Sequence, residues 1–344
     1  MVRRSTLQDI ARLAGVSRSA AARVLLGTGG ESVRVSEGTG KRIRRAAAQL
    51  DYTPNRFAQQ LRGVSSRTLG VIIETENIPV MTARLFALEH EASQRGYRLL
   101  IGRTHEQRNQ LRDYVLDFSG RGVEAIFCLF DLGPKRDQWA REVFRNSKKV
   151  VFHGRPAWER GYCVKVDTIG AIHSVVDHLV ARGKRNPALA LWNMPKDELM
   201  SVRRGAFNEA LAKHKIRARD KLVWDAASLS VNPTQEAADR GIEKLVRQGG
   251  ADAILASNDV WAVRFMFRLK EIGLRIPEDV AVIGYDNLDI GEVIAPSLTT
   301  IDQSHQDYAA AAVDLLIRLA QDEPIPVAKR TVTVPSRLII RHSS

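Results

Sequence analysis

Thirteen of the first 67 residues are lysine or arginine, and only Asp9, Glu31, Glu37 and Asp51 oppose them. Nine of the chain's thirteen net positive charges therefore sit in its first fifth. Cations gathered in one short segment have a general chemistry: they neutralise a polyanion, most often a phosphate backbone. A run of charge can also be an ordinary solvated face. The rest of the chain offers no catalytic set. Its eight histidines are scattered. No group has metal-ligand spacing, and neither a nucleophile elbow nor a phosphate loop following a strand occurs. "GTGGES" at 27–32 is glycine-rich but follows a helical pattern. These residues point to binding rather than catalysis, and they imply no cofactor and no metal.

The basic segment must be held by helices. Thr6 is placed to cap a first helix over Leu7 to Leu13, with Asp9 three residues on. Gly15 supplies a tight turn and Ser17 caps a second helix, Arg18 to Leu26. Ser36 caps a third, Glu37 to Leu50, with Ile43, Ala46, Ala47 and Leu50 at helical spacing. Pro54 breaks the chain, Asn55 to Arg62 is a short helical candidate, and Gly63, Ser65 and Ser66 make a joint. A helix, a glycine-containing turn and a second helix whose first residues can reach base edges is helix-turn-helix geometry. By spacing alone, many helical hairpins look the same.

From Thr68 onward, short apolar strands alternate with amphipathic helices, from "TLGVII" through "VEAIFCLF", "KKVVFHG", "ADAILAS" and "VAVIGYD" to "TVTVPSRLII". That alternation predicts parallel sheets covered by helices. A length of 344 residues suits two or three domains, with 44% apolar and 26% charged residues in a globular range. No run approaches the roughly 20 apolar residues of a membrane helix, so no membrane partner is expected. Residues 7–14 are too polar for a signal core. Cys128 and Cys163 form no paired framework, which suits a reducing cytoplasm.

The motifs "TLQDIARLAGVS", "LDYTPNRFAQQLRG", "VVFHGRP", "ASNDVWAV", "IPEDVAVIGYDN" and "PSLTTIDQ", in this order, resemble the lac repressor/gal repressor family along essentially the whole chain. The resemblance implies an all-α helix-turn-helix headpiece at 1–53, a hinge helix and linker at 54–66, and a two-lobed α/β body like a periplasmic binding protein at 67–344. One lobe would take about 67–165 and 302–325, the other about 166–301 and 326–344.

It also implies site residues. Thr6, Ser17, Arg18, Ser19 and Arg23 fall at DNA-contacting positions of the headpiece. Arg18 can grip a guanine with two hydrogen bonds or hold a phosphate; Arg23 either reads a base or steadies the helix. Ala20, Ala21, Ala22 and Leu26 depart from the family's threonine, valine, serine and asparagine, removing donors that usually touch phosphate. In the hinge, Asn55, Arg56, Gln59 and Leu61 match, with Leu61 at the position of a leucine that wedges between base pairs in the minor groove. In the body, Asp286, Asn258 and Arg203 match ligand-contacting positions. His153 and Arg155 sit at the lobe crossing, where Gly154 replaces a common aspartate. Trp192 and Trp261 either stack on a sugar or pack in the core.

The expectation is a cytoplasmic, homodimeric repressor on a palindromic operator, released by a sugar-like effector bound between the lobes. The alternatives are a regulator that a purine or other corepressor strengthens, and a plain sugar-binding protein with the same body.

Overall fold

Three hydroxyls start the three helices of the head. The computed structural model describes residues 5–27, 34–52, 64–74, 79–105, 107–130, 134–145, 149–191, 198–225 and 234–344. At the first helix, α1 (Leu7–Ala14), Thr6 Oγ1 accepts from the Asp9 amide at 3.3 Å. The Asp9 carboxylate accepts from the Thr6 amide at 2.9 Å in return, so two of the four orphan amides of the first turn are satisfied. Gly15 ends α1 at φ 63°, a conformation that glycine adopts without strain. Ser17 caps α2 (Arg18–Leu26) by accepting from the Ala20 amide at 3.1 Å. Ser36 caps α3 (Glu37–Gln49) in the same way through Thr39. Ile10, Ala11, Ala21, Ile43, Ala46 and Ala47 form the small core between them.

The chain divides into two units, Met1–Ser66 and Arg67–Ser344. The second holds two six-stranded sheets. In the first sheet, β1 (Thr68–Ile73), β2 (Arg98–Arg103), β3 (Ile126–Leu129), β4 (Val150–His153), β5 (Tyr162–Val166) and β11 (Thr331–Val334) lie in the order β11-β5-β4-β3-β1-β2, all parallel. The second sheet holds β6 (Pro187–Leu191), β7 (Val223–Asp225), β8 (Ala253–Ala256), β9 (Ala281–Tyr285), β10 (Thr299–Asp302) and β12 (Arg337–Ile339), in the order β12-β10-β9-β8-β6-β7. Its strands are parallel, as expected, except that edge strand β12 runs antiparallel to β10.

Period-two alternation divides each apolar run between two cores. Leu69, Val71 and Phe127 face one helix layer, and Ile72, Ile126 and Cys128 face the other. The helices that matter for the site are α4 (Pro79–Gln94), α7 (Thr168–Ala181), α8 (Glu198–Lys213), α10 (Asp259–Glu271) and α12 (His305–Ala320), counted in chain order. Helix Pro134–Val143 was not anticipated from the sequence pattern. Cys128 and Cys163 are free and buried. No helix among the described residues is long and apolar enough to cross a membrane.

The chain passes between the sheets three times: from β5 into α7, from β10 into α12, and from β11 into β12. The third passage corrects the expected lobe boundary. Residues 326–344 do not belong together, because Thr331–Val334 pairs with Cys163–Val166 in the first sheet. Arg337–Ile339 pairs in the second, where Ser343 also bonds to Val282. "TVTVPSRLII" reads as one apolar stretch, but Pro335 cannot donate to a ladder, and the chain changes sheets there.

Candidate functional site

In the headpiece, α2 presents Arg18, Ser19 and Arg23 to solvent. Ala21 and Ala22 face inward and are buried, so the small residues at those two positions pack against α1 and α3. Arg23 reaches the Gly27 carbonyl at 3.5 Å. Ser17 Oγ accepts from a backbone amide, which leaves its O–H as a donor. The Thr6 hydroxyl is committed on both sides, donating to Asp9 Oδ2 at 2.6 Å and accepting from the Asp9 amide. The hinge residues Asn55, Arg56, Gln59 and Leu61 lie outside the described residues.

In the body, polar side chains gather at the carboxyl ends of the strands, where open α/β sheets bind ligands. Asp286 follows β9 and is 5% exposed. Its φ of 118° is rare for a side chain with a Cβ, and such strain is concentrated at functional sites. Burial pushes the Asp286 carboxyl up to about 8, with neighbouring Asp259 adding to the rise. Burial thus favours its protonated form.

Asp259 opens α10 and is fully buried. It accepts from Thr300 Oγ1 at 2.5 Å and from the Leu288 amide at 2.6 Å, which clamps the loop after β9. Burial raises its carboxyl to about 6, the hydrogen bonds opposing. A Cβ on Gly284 would lie 2.0 Å from Asp259 Oδ1, so the strand carries glycine where that carboxylate approaches. Asn258 is the cap of α10, accepting from the Trp261 amide at 2.9 Å. Arg203, on α8, donates to the Ser257 carbonyl at 2.6 Å, with its guanidinium 4.0 Å from the centre of the Tyr285 ring.

The first lobe contributes a residue that sequence reasoning missed. Arg84, on α4, is 2% exposed. Its Nη2 donates to Gln303 Oε1 at 2.6 Å, and Gln303 Nε2 donates to Asp286 Oδ1 at 2.5 Å. Gln303 lies on the passage from β10 into α12, so Arg84–Gln303–Asp286 ties one lobe to the other. Arg84 Nη1 is 3.1 Å from His153 Nε2. A guanidinium only donates, so Nε2 is the acceptor and the proton sits on Nδ1, 2.6 Å from the Tyr308 hydroxyl. Tyr308 in turn donates to the Val164 carbonyl at 3.4 Å. Burial first, and Arg84 second, hold His153 well below its usual range, consistent with this neutral tautomer. The signal was present in the sequence: Val80, Arg84, Leu88 and Ala92 are the buried stripe of α4, and an arginine stands where the period calls for an apolar residue. Gln303, Tyr308 and His305 carried no such mark.

Of the two roles expected for Trp261, the structure shows the core one. Trp261 is 1% exposed, with its ring 5.1 Å from Trp224 and 5.7 Å from Phe265. It is a core residue of α10, because position 261 falls on the inward stripe with Ala262, Phe265 and Met266. The Arg155 guanidinium is held by Asp137 at 2.9 Å. Trp192 lies outside the described residues. Among the described residues, no group of three His, Cys, Asp or Glu side chains is arranged to hold a metal.

Residues 6–55 match the family model for bacterial regulatory proteins, lacI family, and residues 176–344 match the periplasmic binding protein-like domain. The sequence is similar to the HTH-type transcriptional repressor PurR of Vibrio atlanticus (strain LGP32), 25% identical over 319 residues, or 93% of each protein. The fold is similar to the lac repressor dimer bound to operator and the anti-inducer ONPF, with TM-score 0.84 and 24% identity over 99% of each chain. It is also similar to the transcriptional regulator CelR–cellobiose complex, with TM-score 0.68 and 24% identity over 99% of this chain and 100% of that one.

Proposed function

The chain belongs to the LacI family of transcriptional repressors, and from that premise we propose that it works in the cytoplasm as a homodimer on a palindromic operator, released by a hydroxyl-rich small molecule held between its lobes. The observation that carries this reading is the pairing, in one chain, of a capped helix with Arg18 and Ser19 in solvent and a buried polar set at the strand ends of a two-lobed body. Its relatives are regulators rather than enzymes.

Arg18 and Ser19 read base edges in the major groove, and Arg23 supports the helix from its C-terminal end. Ser17 keeps a donor for phosphate. Two copies of a symmetric dimer dock on half-sites one helical turn or a multiple apart. The Leu61 segment enters the minor groove, so Leu61→Ala keeps ligand binding but loses specific operator binding and bending.

Asp286, Arg203 and Asn258 pair with ligand hydroxyls, each able to make more than one hydrogen bond. The CelR complex with cellobiose supports a saccharide class for this cleft. Ligand insertion competes with Gln303 for Asp286, loosens the tie from Arg84, and shifts the lobes. Coupling between ligand and operator is reciprocal.

The test is operator selection from random duplex DNA with the full-length protein, followed by footprinting with and without a sugar panel. Protection that disappears on adding one sugar supports the reading. Protection that strengthens identifies a corepressor, and failure to select any palindrome removes the DNA role.

A further inference from the structure

Arg84 and Arg203 are guanidinium groups with 2% and 7% exposure. Buried arginine stays charged and is expected to face a carboxylate. Neither forms an ion pair with a carboxylate among the described residues. Arg84 meets the Gln303 amide oxygen, the neutral His153 ring, the Met81 thioether at 3.9 Å and the Tyr308 ring at 4.6 Å. Arg203 meets a backbone carbonyl and the Tyr285 ring. The Nε of each arginine is buried with no acceptor.

We propose, resting on the ligand-cleft reading above, that this cleft takes an acidic polyhydroxy compound, a sugar bearing a carboxylate or a phosphate, with its anionic group as the counter-charge of Arg84 and Arg203.

Two carboxylates among the described residues lie near that role without filling it. Asp286 is near both arginines, but its Oδ1 is taken by the Gln303 amide at 2.5 Å, no ion pair with either guanidinium forms among the described residues, and burial favours its protonated form. Asp259 has both oxygens taken by Thr300 and Leu288. Burial lowers His305, as it does His153, so neither ring adds charge. Both His305 nitrogens are buried, and the ring lies beside the Asp286 backbone. His305 is the first residue of α12, whose start has no side-chain cap and whose dipole favours negative charge. A neutral sugar would satisfy hydrogen bonds here but leave two buried guanidinium groups without an ion-pair partner, a costly arrangement. A carboxylate or phosphate accepts paired bonds from guanidinium groups in the geometry they favour.

Binding to the full-length protein is measured by titration calorimetry with D-glucose, D-glucuronate, D-glucose 6-phosphate and inorganic phosphate, for the parent, Arg84→Met and Arg203→Met. The expected result is an acidic probe binding the parent at least about tenfold more tightly than glucose, a gap of about 1.4 kcal/mol, with that advantage lost in both variants. Glucuronate against the phosphates distinguishes the two sources of charge. Circular dichroism checks that each variant is folded, and a conservative Arg203→Lys variant, which keeps the charge, retains part of the advantage. Absence of any anion response in the parent, preference for glucose, or anion responses equal in parent and variants overturns the proposal. Operator binding of the parent is followed in parallel. If it persists and responds only to neutral sugars, the cleft reading stands and the acidic class falls.

Discussion

Arginine is used in opposite ways in the two parts of this chain. In the headpiece, Arg18 and Arg23 lie in solvent on α2, where charge is cheap to hold and useful only when a polyanion arrives. In the body, Arg84 and Arg203 are out of water, each aligned by neutral partners and an aromatic face. An exposed cation contributes by releasing counterions and is screened by salt. A buried one contributes through fixed geometry and is screened little. Residue type alone therefore says nothing about which mode applies; burial decides.

Salt gives the largest expected difference. Operator affinity should fall with a log–log slope of roughly −0.9 per phosphate neutralised, or about a thousandfold between about 50 and 200 mM salt for six contacts. Ligand affinity in the cleft should change several-fold at most. Equal slopes measured by fluorescence anisotropy and calorimetry would erase the distinction. Next in size is Arg18→Ala. It should cost about 1–3 kcal/mol at the cognate site and relax preference at one base per half-site. Uniform weakening across sequences would make Arg18 a phosphate contact, still in the headpiece mode but without readout.

In the body, Asp286→Ala should weaken ligand binding about tenfold or more, because hydroxyl partners are lost from a buried site, while operator affinity without ligand stays near the parental value. Asp286→Asn separates charge from shape. The folded-state value of about 8 lies above the unfolded carboxyl value near 4. The folded chain thus holds a proton that the unfolded chain releases, and this stabilising contribution, complete below pH 4, is lost as pH rises through 8. Denaturant titrations should show Asp286→Asn with a shallower decline over that window; an unchanged slope would mean that Asp286 is ionised. The smallest effect is Ser17→Ala, about 1 kcal/mol of headpiece stability from a lost cap, visible as a lower unfolding midpoint for that unit alone.

Much of this was legible in the sequence, unevenly. Thr6, Ser17 and Ser36 announced the helix starts because capping is a local event, settled within three residues. The strand-and-helix alternation announced the layered body for the same reason. What failed to show was what depends on chain far away. Trp261 follows a strand end and sits on an amphipathic helix, but which face of that helix is inward is set by Trp224 and Phe265. Arg155 finds Asp137 on a helix that the pattern missed. The tie from Arg84 through Gln303 to Asp286 joins three distant segments, and only Arg84 left a trace, as a charge in an apolar stripe.

The strand swap near the end of the chain bears on how the protein is made. Cys163 on β5 waits for Thr331 on β11, 168 residues later. At about 5–20 residues per second, that leaves the edge of the first sheet open for roughly 10–30 s during synthesis. Open strand edges are templates for pairing with another chain. The short stretch 331–339 carries the closing strands of both sheets, so a ribosome stalled shortly before residue 331 would release a chain with two unfinished edges, a substrate for chaperones or aggregation rather than a half-working regulator.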